Sequence, residues 1–154
     1  MSAAARLTEL GITLPPPPQP GGVYKPLVIA GNLAYLSGHG PCHDGSNYLT
    51  GRVGADMTLD EGKEAARMVG LSLLATIQKE LGSLDRVVRV IKTLALVNSS
   101  DDFTQQPQVV NGYSELFAEV FGPDAGVGAR SAIATNTLPG NIPVEIEVIL
   151  EIKD

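Results

Sequence analysis

The sequence predicts an α+β fold, a mixed sheet with two helices packed on one of its faces. Three observations predict it. Strand-like apolar runs come in pairs near both ends of the chain. Two long segments with apolar residues at helical spacing lie between those pairs. One further β-branched run separates the two helical segments, so the order reads β-β-α-β-α-β-β, with strands in runs and only two helices to cover them.

Each element has its own local signal. Ala3 to Leu10 reads as a short helix that Gly11 ends. The tract Pro15-Pro16-Pro17-Pro18-Gln19-Pro20 forbids helix and favours an extended polyproline conformation. It reads either as a ligand for a proline-groove domain or as a stiff arm, about residues 1–22, laid over a single domain of 154 residues. Leu27 to Ala30 and Leu33 to Ser37 flank Gly31-Asn32, which reads as a hairpin. Ser37-Gly38-His39-Gly40-Pro41 is expected to break the second strand, and Asp44 to Asn47 reads as a turn. Thr58-Leu59-Asp60-Glu61 has the form of a capping box, in which the hydroxyl and the carboxylate satisfy two free backbone N–H groups. The helix it starts should run to Leu81 and stop at Gly82. Its small residues Gly62, Ala66 and Gly70 make a shallow stripe, expected to rest on the sheet.

Arg86 to Val97 is a long β-branched run, and Pro107 to Phe121 is the second helix. Strict alternation along the run puts Val88, Val90, Leu94 and Leu96 on one face and Val87, Ile91, Ala95 and Val97 on the other. Two helices cover only one of these apolar faces. The other is expected to pack against a second copy of the chain.

Composition removes several function classes. Hydrophobic residues make up 44 % of the chain and charged residues 18 %, values of a globular protein. A net charge of −6, scattered basic residues and the absence of Trp argue against nucleic-acid partners. No apolar run is long enough for a membrane span and no signal peptide is visible, so the expected location is the cytoplasm. Cys42 is the only cysteine, which excludes an internal disulfide. His39, Cys42, His43 and Asp44 cluster in sequence, but the spacing matches no standard zinc pattern and reads as a polar loop, so no metal is expected. Cys42 as a nucleophile needs a base such as His39 or His43, and a structural thiol is the simpler reading. Gly38 and Gly40 could bring backbone close to a ligand. They lack the following Lys-Ser/Thr of a phosphate loop.

The richest chemistry lies in the last quarter. Arg130 follows the bare backbone of Gly126-Val127-Gly128-Ala129 and opens the strand Ser131-Ala132-Ile133-Ala134-Thr135. A guanidinium in such a place is a planar fork suited to a carboxylate. The turn Leu138-Pro139-Gly140-Asn141 leads into Val144 to Ile152, where Glu145, Glu147 and Glu151 alternate onto one face. They read as a solvated edge unless one is buried beside Arg130. Asn111 either caps a pocket or faces solvent. Tyr24 either anchors the proline arm or walls a pocket.

Taken together, these segments resemble the RidA/YjgF family of reactive-intermediate deaminases, from about Gly22 to Ile152. The carrying pieces are Ala30-Gly31-Asn32-Leu33-Ala34-Tyr35-Leu36-Ser37-Gly38, the helix after Thr58, Asn111, Ala129-Arg130-Ser131-Ala132, Leu138-Pro139 and Val144-Glu145-Ile146-Glu147. The resemblance implies a chorismate-mutase-like fold and a homotrimer with clefts between subunits. It implies hydrolysis of 2-imino acids to 2-keto acids and ammonia, with no cofactor. Arg130 then matches the arginine that holds the substrate carboxylate, and Glu145 the glutamate that positions water. Tyr24, Ser37, Gly38 and Asn111 match pocket residues. The chain departs from the usual pattern at Ala132, where the deaminases have Cys, and at His39, where they have Gln and where a titratable group would line the cleft. The proline arm and Gly40-Pro41-Cys42 also differ. A rival reading is a non-catalytic trimer that binds small carboxylates or acts as a chaperone. Some members have been described as endoribonucleases, a role that the acidic balance of this chain disfavours.

Overall fold

The computed structural model describes all residues from Met1 to Asp154. Helix α1 (Ala3–Glu9) precedes the hairpin β1 (Leu27–Ala30) and β2 (Leu33–His39). Helix α2 (Leu59–Leu81), strand β3 (Val87–Asn98), helix α3 (Gln106–Phe121), strand β4 (Ala129–Thr135) and strand β5 (Val144–Ile152) follow. The strands form one five-stranded sheet in the order β1-β2-β5-β3-β4. Neighbours are antiparallel except β3 and β4, which are parallel and joined through α3.

Local chemistry explains the element ends. Gly31 takes the positive φ of 61° that the two-residue hairpin turn requires. The Thr58 hydroxyl accepts from the Glu61 N–H at 3.2 Å and the Glu61 carboxylate accepts from the Thr58 N–H at 2.7 Å. A cap of this kind stabilises a helix start by about 1 kcal/mol. Gly82 ends α2 in the left-handed region. At the N-terminus, α1 is tied to the body: the Ala3 N–H donates to Asp85 at 2.6 Å and Arg6 Nε to the Glu119 carbonyl at 2.8 Å.

The core lies between the sheet and helices α2 and α3. Leu73, Leu74, Ile77, Leu116 and Phe117 from the helices meet Ala95, Val97, Ile146 and Leu150 from the sheet, all fully buried. The small-residue stripe of α2 rests on α3 rather than on the sheet. A Cβ on Gly70 would meet Leu116 at 2.8 Å, and one on Gly112 of α3 would clash with the Lys63 carbonyl. Bare backbone on both helices permits their close approach.

Two readings of strand geometry are corrected. β2 does not stop at Ser37; it continues to His39 through an irregularity in its pairing with β5 between Leu36 and His39. The strict alternation expected for β3 is also broken, because pairing with β5 shifts between Val87 and Arg89 and again between Val90 and Lys92. An extra residue in a strand exchanges the faces beyond it. Val90 is therefore buried together with Thr93, Ala95 and Val97 under the helices, while Leu94 and Leu96 point to the other face.

That other face carries no layer of its own. Its pairings place Tyr35 beside Ile149, Leu94 beside Glu147, and Leu96 between Ile133 and Glu145. Val28, Tyr35 and Ile133 are 43–50 % exposed there. No helix of the chain is long and apolar enough to cross a membrane.

Candidate functional site

Arg130 is the second residue of β4, an edge strand. Its register partner is Thr93, so its side chain leaves the sheet on the helix side. Helix α3 holds the guanidinium there. Nη1 donates to Asn111 Oδ1 at 2.9 Å and to the Ser114 hydroxyl at 3.0 Å, and Nη2 makes a long contact of 3.4 Å to the Pro107 carbonyl. Of the five N–H donors of an arginine, Nε–H and one on Nη2 remain for a ligand. The head is thus oriented by the protein and still able to grip a carboxylate. Arg130, Asn111, Ser114 and Thr93 line a cavity of about 220 Å³ walled on one side by Gly126 and Gly128. Ala132 lies on the same face two residues on, packed against the core.

Glu145 lies on the opposite face. It pairs with Leu96, which points away from the helices. Its carboxylate rests against Gly38: a Cβ built there would be 2.9 Å from Glu145 Cδ. Burial, and secondarily the charge of Glu147 two residues along the strand, raise the Glu145 pKa above its ordinary value. Glu145 lines a cavity of about 650 Å³ together with Tyr24, Gly38, Tyr48 and the arm residue Gln19.

The structure therefore sorts the residues read from the sequence into two sets. Tyr24, Gly38 and Glu145 share one cavity; Arg130, Asn111 and Ala132 share the other side of the sheet. Within one chain Arg130 and Glu145 do not meet. Tyr24 both walls the cavity and anchors the arm, since its hydroxyl accepts from the Gly21 N–H at 3.1 Å. The Ser37 hydroxyl donates to the Lys25 carbonyl at 2.7 Å, and Ser37 borders a smaller hollow with Tyr35, Lys92 and Glu147.

His39 borders a small hollow with Gln19, Tyr24, Gly38 and Tyr48 but is not among the residues lining the larger Glu145 cavity. The pairing irregularity after Leu36 turns its ring into the helix side, where it is 5 % exposed. Nδ1 lies 2.6 Å from the Ser37 carbonyl and Nε2 2.8 Å from the Thr76 hydroxyl of α2. A carbonyl only accepts, so Nδ1 carries the proton and Nε2 accepts from Thr76. Burial lowers the His39 pKa, against a smaller opposing effect of the Ser37 carbonyl. Nor are the other members of that sequence cluster brought together. Cys42 is fully buried, His43 is exposed, and Asp44 is spent on Ser46 and Asn47.

Ser114 was missed in the sequence, although it sits three residues after Asn111 and thus on the same helix face. Gln19, Ser46, Asn47, Tyr48 and Thr50 were missed as cavity residues because loop-to-arm proximity leaves no periodic trace.

The fold is thus an α+β sheet with a helix-held arginine on one face and, on the other, a partly desolvated glutamate beside bare glycine backbone. The comparisons specify it further. Residues 4–151 match the family described as "YjgF/chorismate_mutase-like, putative endoribonuclease". The chain is 40 % identical to Protein TCP17 of Trypanosoma cruzi, over 98 % of this chain and 94 % of the relative. It is 30 % identical to the 2-iminobutanoate/2-iminopropanoate deaminase of Dermatophagoides farinae, over 92 % and 95 % of the two chains. The crystal structure of Atu1372 from Agrobacterium tumefaciens superposes with a TM-score of 0.87 at 40 % identity, covering 97 % of this chain and 91 % of the other. This chain belongs to the RidA/YjgF family.

Proposed function

We propose that the protein hydrolyses reactive 2-imino acids, and their enamine tautomers, to 2-keto acids and ammonia, in clefts shared between the copies of a homotrimer. The observation that carries this reading is the separation of Arg130 and Glu145 on opposite faces of a sheet whose outer face is uncovered and exposes Val28, Tyr35 and Ile133 beside its charged residues. One chain offers a carboxylate clamp at its edge; the same chain offers a carboxylate base on its open face. Stacking copies edge to face buries Leu94, Leu96 and Ile133 and sets the arginine of one copy against the glutamate of the next. Similarity to a curated 2-iminobutanoate/2-iminopropanoate deaminase supports the same chemistry.

The mechanism follows from the two groups. Arg130 binds the substrate carboxylate through its free donors and fixes the imine carbon in place. Water, held by Glu145, adds its oxygen to that carbon while Glu145 takes the proton, and the imine nitrogen gains one. The resulting carbinolamine collapses: Glu145 relays the hydroxyl proton to the amine nitrogen, the carbonyl forms as the C–N bond breaks, and the nitrogen departs as ammonia. One water enters, and one keto acid and one ammonia leave. The imine is electrophilic enough that the residues need only orient and move protons.

The test generates 2-iminobutanoate in situ and follows its disappearance with and without the protein. Acceleration that Arg130→Ala abolishes supports the reading. No acceleration by the intact protein, with this imine or with those made from phenylalanine and tyrosine, overturns it.

A further inference from the structure

The cavity around Glu145 is much larger than a two- or three-carbon imino acid needs. At about 650 Å³ it falls in the range of sites for drug-sized molecules. Its inner end is the Gly38–Glu145 contact. Its outer end is built from two segments that the mechanism does not use, the proline arm and the turn after β2.

That outer wall is preformed. The Asp44 carboxylate accepts from the backbone N–H groups of Ser46 and Asn47 at 2.9 and 2.7 Å and from Asn47 Nδ2 at 2.5 Å, which closes the turn on itself. Gly45, at φ 91°, has no side chain to hold the arm away. A Cβ there would meet Pro16 Cβ at 3.2 Å and the Pro17 carbonyl at 3.7 Å. The stiff proline run therefore lies along the turn and delivers Gln19 to the cavity rim.

The side chains of the wall that line the cavity are polar and uncharged. Gln19, Ser46, Asn47, Tyr48 and Thr50 line it, and Glu145 is the only charged residue on the whole cavity. Asn47 spends one amide N–H on Asp44 and Gln19 one on the Pro17 carbonyl at 3.5 Å, so each keeps its carbonyl oxygen and a second N–H for a ligand. A distal carboxylate on the ligand finds no counter-charge here. A neutral hydroxyl finds both donors and acceptors.

We propose that the proline arm and the 44–50 turn form an outer subsite that selects 2-imino acids whose side chain is long and ends in an uncharged hydrogen-bonding group, such as a phenol. This rests on the deaminase reading for the inner end of the cleft. It also assigns the arm a role as the cleft's outer wall.

The test separates the two readings. Binding of 4-hydroxyphenylpyruvate and phenylpyruvate, keto acids that differ by one hydroxyl, is measured by calorimetry on the intact protein and on the double variant Gln19→Met, Thr50→Val, which keeps side-chain size and removes the polar groups. The subsite predicts at least about fivefold tighter binding of the hydroxylated acid, with the ratio falling toward one in the variant. Equal affinities in the intact protein, an unchanged ratio in the variant, or no binding of either acid overturns the subsite. Turnover of the imines made in situ from tyrosine and phenylalanine is followed in parallel. Selective binding without turnover of any imine upholds the subsite and overturns the deaminase reading alone.

Discussion

A methyl group on Gly38 would sit 2.9 Å from Glu145 Cδ and 3.1 Å from its Oε2. The strand residue and the carboxylate occupy adjoining space, and only the absence of a side chain at 38 lets the carboxylate settle where it does. Gly38→Ala, at a position without positive φ, forces the carboxylate away rather than straining the backbone. The expected result is a loss of about a hundredfold in kcat/KM for imine hydrolysis, with a stability cost of about 1–3 kcal/mol for the overpacking. Paired kinetics and urea unfolding check it; wild-type kinetics would detach Glu145 from the reaction.

The pH dependence follows from the same carboxylate. Its folded-state pKa is raised above the ordinary 4.5. As a base it works only when ionised, so activity should rise with pH through a limb displaced above the ordinary carboxylate range. For stability the sign is the reverse. The folded state holds this proton to higher pH than the unfolded chain, so the contribution is complete below 4.5 and is lost as pH rises through the raised value. Glu145→Gln should therefore be inactive, yet gain stability relative to the parent as pH rises through that window. Urea unfolding across pH reads the difference.

His39 gives the opposite profile. Its pKa is lowered from 6.5 by burial. The unfolded chain binds the proton first, so stability is lost as pH falls below about 6.5 through the lowered value. His39→Gln should remove this acid-side loss. His39→Ala leaves the Thr76 hydroxyl and the Ser37 carbonyl without partners and should cost about 1–3 kcal/mol at neutral pH. Thermal unfolding at pH 5 and pH 7.5 for the three proteins distinguishes these effects.

The open sheet face predicts the assembly. Leu96→Asp and Ile133→Asp place charge in the row that also holds Glu145. Each should shift the protein from three times the chain mass to one in light scattering, and activity should be lost with the assembly. A monomeric parent would contradict the proposed trimer.

Much of the fold was legible because it rests on local chemistry. The Thr58 capping box, Gly82 and the Gly31 turn each bound an element by a rule that acts within a few residues. The phase of β3 was not legible, since its two irregularities arise from pairing with β5, a segment more than fifty residues away. His39 escaped for the same reason: the offset between Leu36 and His39 turned it toward Thr76. In the candidate site, Arg130, Asn111 and Glu145 could be named from residue type and resemblance. Their separation onto two faces could not, because it depends on which side of the sheet the helices cover.

The central claim is that Arg130 of one copy works with Glu145 of another. The most direct measurement mixes two inactive proteins, Arg130→Ala and Glu145→Gln, denatures and refolds them together at equal amounts, and assays imine hydrolysis. If the site is shared, a random assembly restores an intact Arg130 and Glu145 pair at about a quarter of the clefts, and about that fraction of parental activity returns. If activity stays at the level of the separate variants while the mixed assemblies form, the two residues do not build one site across copies, and the account is wrong.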